Sequence, residues 1–308
     1  MSLRLEKIDT KHSPQYAQWA DVHGDIFSDP SWIQIQADSS CTYVLRDDSN
    51  WLGCFTLNQE TKWGIRLFRN PHFSPHICWS WNHAAHKTTS QHNSWKAAMD
   101  LMIGIFKNHK LSKIQFSFPT HVNDLQNFIW KGFHVQPKYT YQIDLHSSLD
   151  LILSQISSSH RNHFNKAKKD GIEWVIQHSP QEMEILVTST FKRKRKKYHP
   201  AYLHNILNNF CNEENSMMCF ASLEGKVIAG ATVIFNRKKA YLLLSGYHAD
   251  NKHGGAGIGC IIHLIESCQK RQIPLFDFEG SMIPEVEVYF RGFGGEIKPY
   301  MSITKNIL

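Results

Sequence analysis

The hydrophobic pattern of this 308-residue chain changes period repeatedly, and the changes mark its elements. Pro30-Ser31-Trp32 opens a short helical pattern that reaches Ala37. Residues 41–46 and 51–57 alternate apolar and polar side chains, as half-buried strands do, across the turn cluster Asp47-Asp48-Ser49-Asn50. Residues 65–68 and 77–81 read as further strands separated by a Pro/His-rich loop. Trp95, Met99, Met102 and Phe106 then recur at helical spacing. Residues 113–118 form a strand closed by Pro119, residues 123–130 a short helix ended by Gly132, and residues 139–145 the strand that follows.

The same order then returns. Leu149, Ile152, Leu153, Ile156, His163, Phe164 and Ala167 share one helical face that continues to Gly171. A strand at 172–177, helices at 180–191 and 201–210, and a hairpin of 217–223 with 227–235 follow. The chain closes with a strand at 241–247, a helix at 258–270, a strand at 275–279, a short helix at 284–290 and a strand at 296–303. Alternating strands and helices interrupted by hairpins predict an α/β (α+β) protein. Each half would be a mixed, mostly antiparallel sheet with helices on both faces. The boundary reads near residues 145–148, giving domains 1–145 and 146–308, and no Gly/Ser linker separates them.

Charge sharpens the division. Residues 1–150 carry 14 Lys+Arg against 13 Asp+Glu, whereas residues 151–308 carry 20 against 14. The basic second half suits a phosphate-bearing partner such as a nucleotide cofactor, an RNA or a lipid surface, and it equally suits simple solubility. The basic run 192–197 suits a solvated surface, and the backbone phosphates of an RNA or an anionic acceptor would explain it too. Seven scattered cysteines without a C-x-x-C pair exclude a disulfide framework or zinc ribbon and point to a reducing compartment. The first residues lack the apolar core of a secretory signal, and no run is long enough to span a membrane, so the expectation is a cytoplasmic protein without integral membrane association. His83/His86 and His160/His163 stand at i,i+3 with no third ligand at a recognisable spacing, so no metal site is expected. Cys260 and Cys268 fit core positions of a helix.

Three segments carry candidate chemistry. Lys252-His253-Gly254-Gly255-Ala256-Gly257-Ile258-Gly259 follows an apolar strand and opens a helix. Backbone N–H groups there, with the positive helix end, make a cradle for a pyrophosphate, although a Gly-rich turn before a packed helix has the same sequence. In Leu275-Phe276-Asp277-Phe278-Glu279, alternation places both carboxylates on one face of an apolar strand. Burial and mutual repulsion would raise one pKa and make it a general base for an attacking amine, unless both are tied up in structural pairs. In Tyr289-Phe290-Arg291-Gly292-Phe293-Gly294-Gly295, Arg291 could hold a phosphate or a developing oxyanion, or simply stack on a phenylalanine.

Together these segments resemble the second half of a tandem GNAT-type acyltransferase, in the branch related to Fem-type peptidoglycan aminoacyltransferases. Lys252-His253-Gly254-Gly255-Ala256-Gly257 is similar to the donor loop of that superfamily, with Lys in its first position. Phe290-Arg291-Gly292-Phe293-Gly294 resembles the Fem-type segment in which a basic residue, often Lys, follows Phe. Ser159–Gly171, with Arg161 and its lysines, resembles the family's basic helix beside the acceptor site, and its lysines equally suit a solvated helix end. The resemblance implies two tandem GNAT-like folds and direct transfer of an acyl or aminoacyl group, from acyl-CoA or aminoacyl-tRNA, to a primary amine. It implies catalytic roles for Asp277, Glu279 and Arg291, and donor contacts from Lys252, Gly254, Gly255, Gly257 and Gly259. Arg161, Tyr247, Ser281, Tyr289 and Phe290 would contact substrate. No cofactor would be tightly bound, and the acceptor would be a small molecule, peptide or cell-wall precursor bearing an amine. A non-catalytic GNAT-like module that binds RNA or a cell-wall precursor is the alternative.

Overall fold

The computed structural model describes residues 3–36, 39–48, 50–82, 87–107, 112–195, 197–248, 253–280 and 282–307. The chain divides into two compact units, Met1–Lys138 with Pro299–Leu308, and Tyr139–Lys298. The first unit holds β1 (Leu3–Ile8), α1 (Pro14–His23), α2 (Pro30–Ile35), β2 (Ser40–Asp47), β3 (Asn50–Lys62), β4 (Ile65–Arg69), β5 (Cys78–Trp81), α3 (Thr88–Lys107), β6 (Ser112–Ser117) and α4 (Gln126–Trp130). The chain leaves it along β7 (His134–Asp144). The second unit holds α5 (Leu149–Gln155), α6 (Ser158–Lys169), β8 (Glu173–Ile176), α7 (Pro180–Arg193) and α8 (Pro200–Asn205). It continues with β9 (Ser216–Leu223), β10 (Lys226–Phe235), β11 (Ala240–Tyr247), α9 (Ala256–Lys270), β12 (Leu275–Asp277) and α10 (Pro284–Arg291). The chain re-enters the first unit along β13 (Glu296–Ile307).

In the first unit the strands run β1-β2-β3-β4-β6-β13, with β5 against β3. β4 and β6 are parallel, and β13 pairs antiparallel with β6 through Ser302–Ser117 to Ile307–Ser112. One face is filled by aromatic and sulfur-bearing side chains, among them Phe55, Trp79, Met99, Met102, Phe106 and Phe116, each nearly or fully buried. The α3 positions read from helical spacing do face this core. α1 was not legible from apolar spacing because only Tyr16 and Ala20 are buried on it. Its start is fixed locally: Ser13 Oγ accepts a hydrogen bond from the Tyr16 N–H, and Pro14 stands in the first turn.

In the second unit the order is β7-β12-β11-β10-β9-β8, antiparallel except for β11 beside β12. β10 is the central strand, and its two faces carry different helices. Ala229, Ala231 and Val233 lie in one core with Ile258, Ile261 and Ile265 of α9. Gly230, pointing the other way, lies under α7, where a Cβ would stand 2.9 Å from both Leu186 Cδ1 and Met183 Cε. Gly246, its partner on β11, meets the Leu186 backbone in the same way. Two facing glycines therefore let α7 lie directly on the sheet, and helices cover both faces as the pattern predicts.

Three sequence expectations change. The single helical face from Leu149 to Gly171 is two helices, because Ile156 is extended and Ser157 Oγ caps α6 by accepting from the His160 N–H. The helix expected at 201–210 starts at Pro200 and finishes as a π-helical turn, Ile206–Phe210. The strand expected at 275–279 ends at Asp277. The domain division also differs from the boundary read at 145/146. The chain changes unit within β7, and the end of β13 belongs with β6 in the first unit. Strand pairing decides that division, and no local composition marks it. His83, His86, Lys252 and Ser281 lie outside the described residues.

Candidate functional site

β11 and β12 pair only at Ala240–Phe276 and Tyr241–Asp277. Beyond that point β12 stops while β11 runs on to Tyr247, so among the described residues no strand lies beside residues 242–247 on that side. A cavity of about 580 Å³ occupies this gap. Its walls are residues 242–247 of β11, residues 228–230 of β10, the end of α7 with Lys194, the start of α9, residues 278–280 and one side of α10.

Asp277 closes the base of the gap and is 3 % exposed. Its Oδ1 accepts from Thr140 Oγ1 at 2.6 Å and from the Glu279 N–H at 2.8 Å. Its Oδ2 accepts from Gln142 Nε2 at 2.6 Å, with Lys239 Nζ at 3.4 Å. Both oxygens are thus committed to holding β7, β12, the Lys239 ammonium and the turn after β12 together. This carboxylate is a structural pair in the sense that distinguishes scaffold from base.

Glu279 is not. The turn that Asp277 holds places Glu279 at φ +59° and Gly280 at φ +76°, and any side chain at 280 would overlap the Tyr139 carbonyl. The left-handed turn removes Glu279 from the face it would share with Asp277 in a continued strand. It lines the cavity, and its Oε1 is out of solvent without a hydrogen-bond partner among the described residues. Burial, and then the nearby charge of Asp277, push its carboxyl well above the ordinary range. A left-handed non-glycine residue with a shielded, partnerless carboxyl oxygen at a cavity marks a functional site better than a scaffold one.

α9 begins at the cavity with no acidic residue in its first turn; His253 takes the Gly255 N–H through Nδ1 at 3.2 Å and the Ala256 N–H through its carbonyl at 3.1 Å, and the positive helix end stays at the cavity wall. Its glycines divide by role. Gly254 and Gly257 line the cavity, and a Cβ on Gly257 would stand 3.3 Å from the Tyr289 hydroxyl. Gly255 and Gly259 instead seat the helix, the first against the His163 carbonyl of α6 and the second against the Trp174 indole of β8. Trp174 Nε1 also donates to the Ala256 carbonyl at 2.9 Å. Burial, with the Cys260 thiol nearby, pushes the Tyr289 phenol upward, so the hydroxyl keeps its proton. His160 Nε2 donates to the Tyr289 carbonyl at 2.9 Å, and burial lowers its pKa, which keeps the ring neutral.

Two basic candidates stand elsewhere. The Arg291 side chain is 61 % exposed, bonds Glu287 at 3.0 Å, and does not line the cavity. Arg161 Nη1 donates to the carbonyls of Ser154 and Ile156, so it ties the end of α5 to α6. Phe290 and Tyr247 do line the cavity. Tyr247 is fixed by its N–H, which donates to Thr190 Oγ1 of α7 at 3.1 Å. Thr140, Gln142 and Lys239 were missed from sequence, since polar residues within or just before a strand carry no signal of a shared carboxylate partner. All seven cysteines are buried and unpaired, and burial pushes Cys211 and Cys268 up to about 12, so no reactive thiol stands among them. Among the described residues, no cluster of His, Cys, Asp and Glu could hold a metal ion.

Residues 157–291, from the cap of α6 to the end of α10, match the family model described as an acetyltransferase (GNAT) domain. FemX superimposes over 97 % of this chain and 96 % of its own, with a TM-score of 0.69 and 13 % identity. A tandem GNAT protein from the clavulanic acid biosynthesis pathway covers 100 % and 99 %, with a TM-score of 0.58 and 11 % identity. The chain has a tandem GNAT, Fem-like fold. L-PGS from Bacillus licheniformis shares it over 97 % of this chain and 94 % of its own, with a TM-score of 0.57 and 10 % identity. No curated protein matches the sequence. Within the tandem GNAT fold, the matched segment contains the whole wall of the cavity.

Proposed function

We propose that the cavity is the transfer site of an N-acyltransferase of the GNAT/Fem-like type, which moves an acyl or aminoacyl group directly to a primary amine. The observation that carries this reading is Glu279, whose shielded Oε1 has no hydrogen-bond partner among the described residues and which lines the gap between β11 and β12 beside the start of α9. In the reaction, the amine nitrogen attacks the donor carbonyl carbon and passes its proton to ionised Glu279. The bond to the leaving sulfur or oxygen then breaks, and the leaving atom takes up a proton. The edge of β11 along residues 242–246 that faces the cavity offers backbone groups to an extended donor. The first turn of α9, with Gly254 and Gly257, receives donor phosphate. The Tyr289 hydroxyl, protonated and beside Gly257, is placed to protonate a leaving group at that end of the cavity. Catalysis is then positioning and proton transfer without a covalent enzyme intermediate.

Donor phosphate at α9 suits acyl-CoA and aminoacyl-tRNA alike. Mass spectrometry of the purified chain mixed with CoA, or with charged tRNA, decides between them. Amine-dependent release of free CoA or uncharged tRNA, lost in Glu279→Gln, tests the reaction. If amine-dependent turnover survives that substitution unchanged, Glu279 is not the base. If neither donor binds, the non-catalytic module is the better reading. Arg291, exposed on α10 and not lining the cavity, has no part in this mechanism.

A further inference from the structure

Arg193 ends α7, and its guanidinium carbon lies 3.7 Å from the centre of the Tyr247 ring. Nη1 and Nη2 are both shielded from solvent, and neither has a hydrogen-bond partner among the described residues. A guanidinium cannot shed its charge in a protein, and a cation taken out of water without acceptors is unfavourable. Two features offset part of that cost: the negative end of α7 and the face of the tyrosine ring. Neither takes up an N–H group, so the donors of both terminal nitrogens stay unused.

The neighbours of Arg193 place it at the cavity. Thr190, Lys194 and Tyr247 all line it, and the Tyr247–Thr190 hydrogen bond locks the end of β11 to the last turns of α7. Turning the guanidinium off the ring toward the cavity breaks no hydrogen bond of Nη1 or Nη2. We infer that Arg193 binds an oxyanion, carboxylate or phosphate, carried by the substrate that enters the cavity. The planar fork of the guanidinium matches the two oxygens of such a group. This inference rests on the cavity being the transfer site, and it adds that one substrate bears a negative group apart from its reacting atoms. That group belongs either to the donor, as phosphate, or to the acceptor, as carboxylate.

Matched probes separate the two sources. The full chain is titrated calorimetrically with coenzyme A against pantetheine, which lacks the phosphates, and with alanine against alaninamide, which lacks the carboxylate. In at least one pair the anionic member should bind about tenfold or more tightly, as expected for a charge-assisted bidentate contact. Arg193→Gln should reduce that preference to near unity in the alanine pair, or about tenfold in the coenzyme A pair, where the start of α9 supplies the remainder, while Arg193→Lys, which keeps the charge and loses the fork, should leave it intermediate. The responding pair identifies the source. A wild-type chain with no preference in either pair overturns the inference, as does an Arg193→Gln variant that keeps the full preference. If Arg193→Gln does not fold, Arg193→Lys is decisive, since a wild-type preference in that variant also overturns the forked contact. Glu279→Gln, which tests transfer, should leave the preference intact. Failure of the transfer reading and failure of the clamp therefore give different results.

Discussion

Replacing Glu279 by Gln should raise stability at neutral pH while removing activity. Glu279 is desolvated, faces the charge of Asp277 and has an oxygen with no donor, so its ionised form is the disfavoured one in the folded chain. Below the ordinary value of 4.5 the carboxyl is protonated in both folded and unfolded chains, and the two proteins differ only through hydrogen bonding. As pH rises above that value, the unfolded chain releases the proton and the folded chain keeps it. Wild-type stability therefore falls relative to Glu279→Gln by up to about 1.4 kcal/mol per pH unit, until pH passes the raised folded value. By pH 7 the gap should exceed about 1 kcal/mol, the lower end of the cost of an unsatisfied buried polar group. Urea unfolding followed by tryptophan fluorescence from pH 4 to 8 measures it on both proteins. The wild-type transfer rate should climb over the same raised titration, since the base must be ionised, and Glu279→Gln should lose roughly 100- to 10,000-fold. Parallel stability curves, or a variant less stable at pH 8 than at pH 4 relative to wild type, would refute the account of Glu279 as a carboxyl held neutral by burial.

Three further substitutions test the parts around it. Asp277→Ala should destabilise by about 3 kcal/mol in the same unfolding assay, because it strands Lys239 and releases Thr140, Gln142 and the Glu279 N–H together. Gly259→Ala should cost about 2 kcal/mol by collision with Trp174. Gly257→Ala should leave the melting temperature nearly unchanged yet weaken donor binding by about tenfold, because its Cβ would point at Tyr289 across the cavity. Equal effects from the two alanines in both assays would contradict the division of roles along α9. Arg291→Ala breaks only an exposed i,i+4 pair and should change stability by less than about 1 kcal/mol and steady-state turnover by less than about tenfold.

The order of elements was legible because both units obey simple periodicities, strong where a helix or strand buries one face. α3 and α9 were read from apolar spacing; of the α3 positions so chosen, Met99, Met102 and Phe106 are buried and Trp95 partly so. The chemistry was legible only as residue type. Alternation placed Asp277 and Glu279 together, but alternation holds only while a strand continues, and the Glu279–Gly280 turn ends it. Which of the two is scaffold depends on Thr140, Gln142 and Lys239, and the first two stand more than a hundred residues away in the chain. The glycine loop posed the same difficulty. Spacing cannot tell a glycine that faces a ligand from one that lets Trp174 approach, and α9 has both. Arg291 and Arg161 were read by resemblance to motifs, yet their side chains are used for an exposed ion pair and for tying off α5. Arg193 sat unnoticed inside a basic run, since only its position on Tyr247 distinguishes it from the solvated lysines around it.

The return of β13 to the first unit has a consequence for how the chain is made. The strand that pairs with β6 lies, in sequence, after the whole of the second unit. On the ribosome, β6 therefore waits with an unpaired edge while some 160 residues of the second unit emerge. A gene fragment cut near residue 145 would yield a first unit permanently missing that strand. A permuted chain, with residues 299–307 moved ahead of β1, would supply it at the outset.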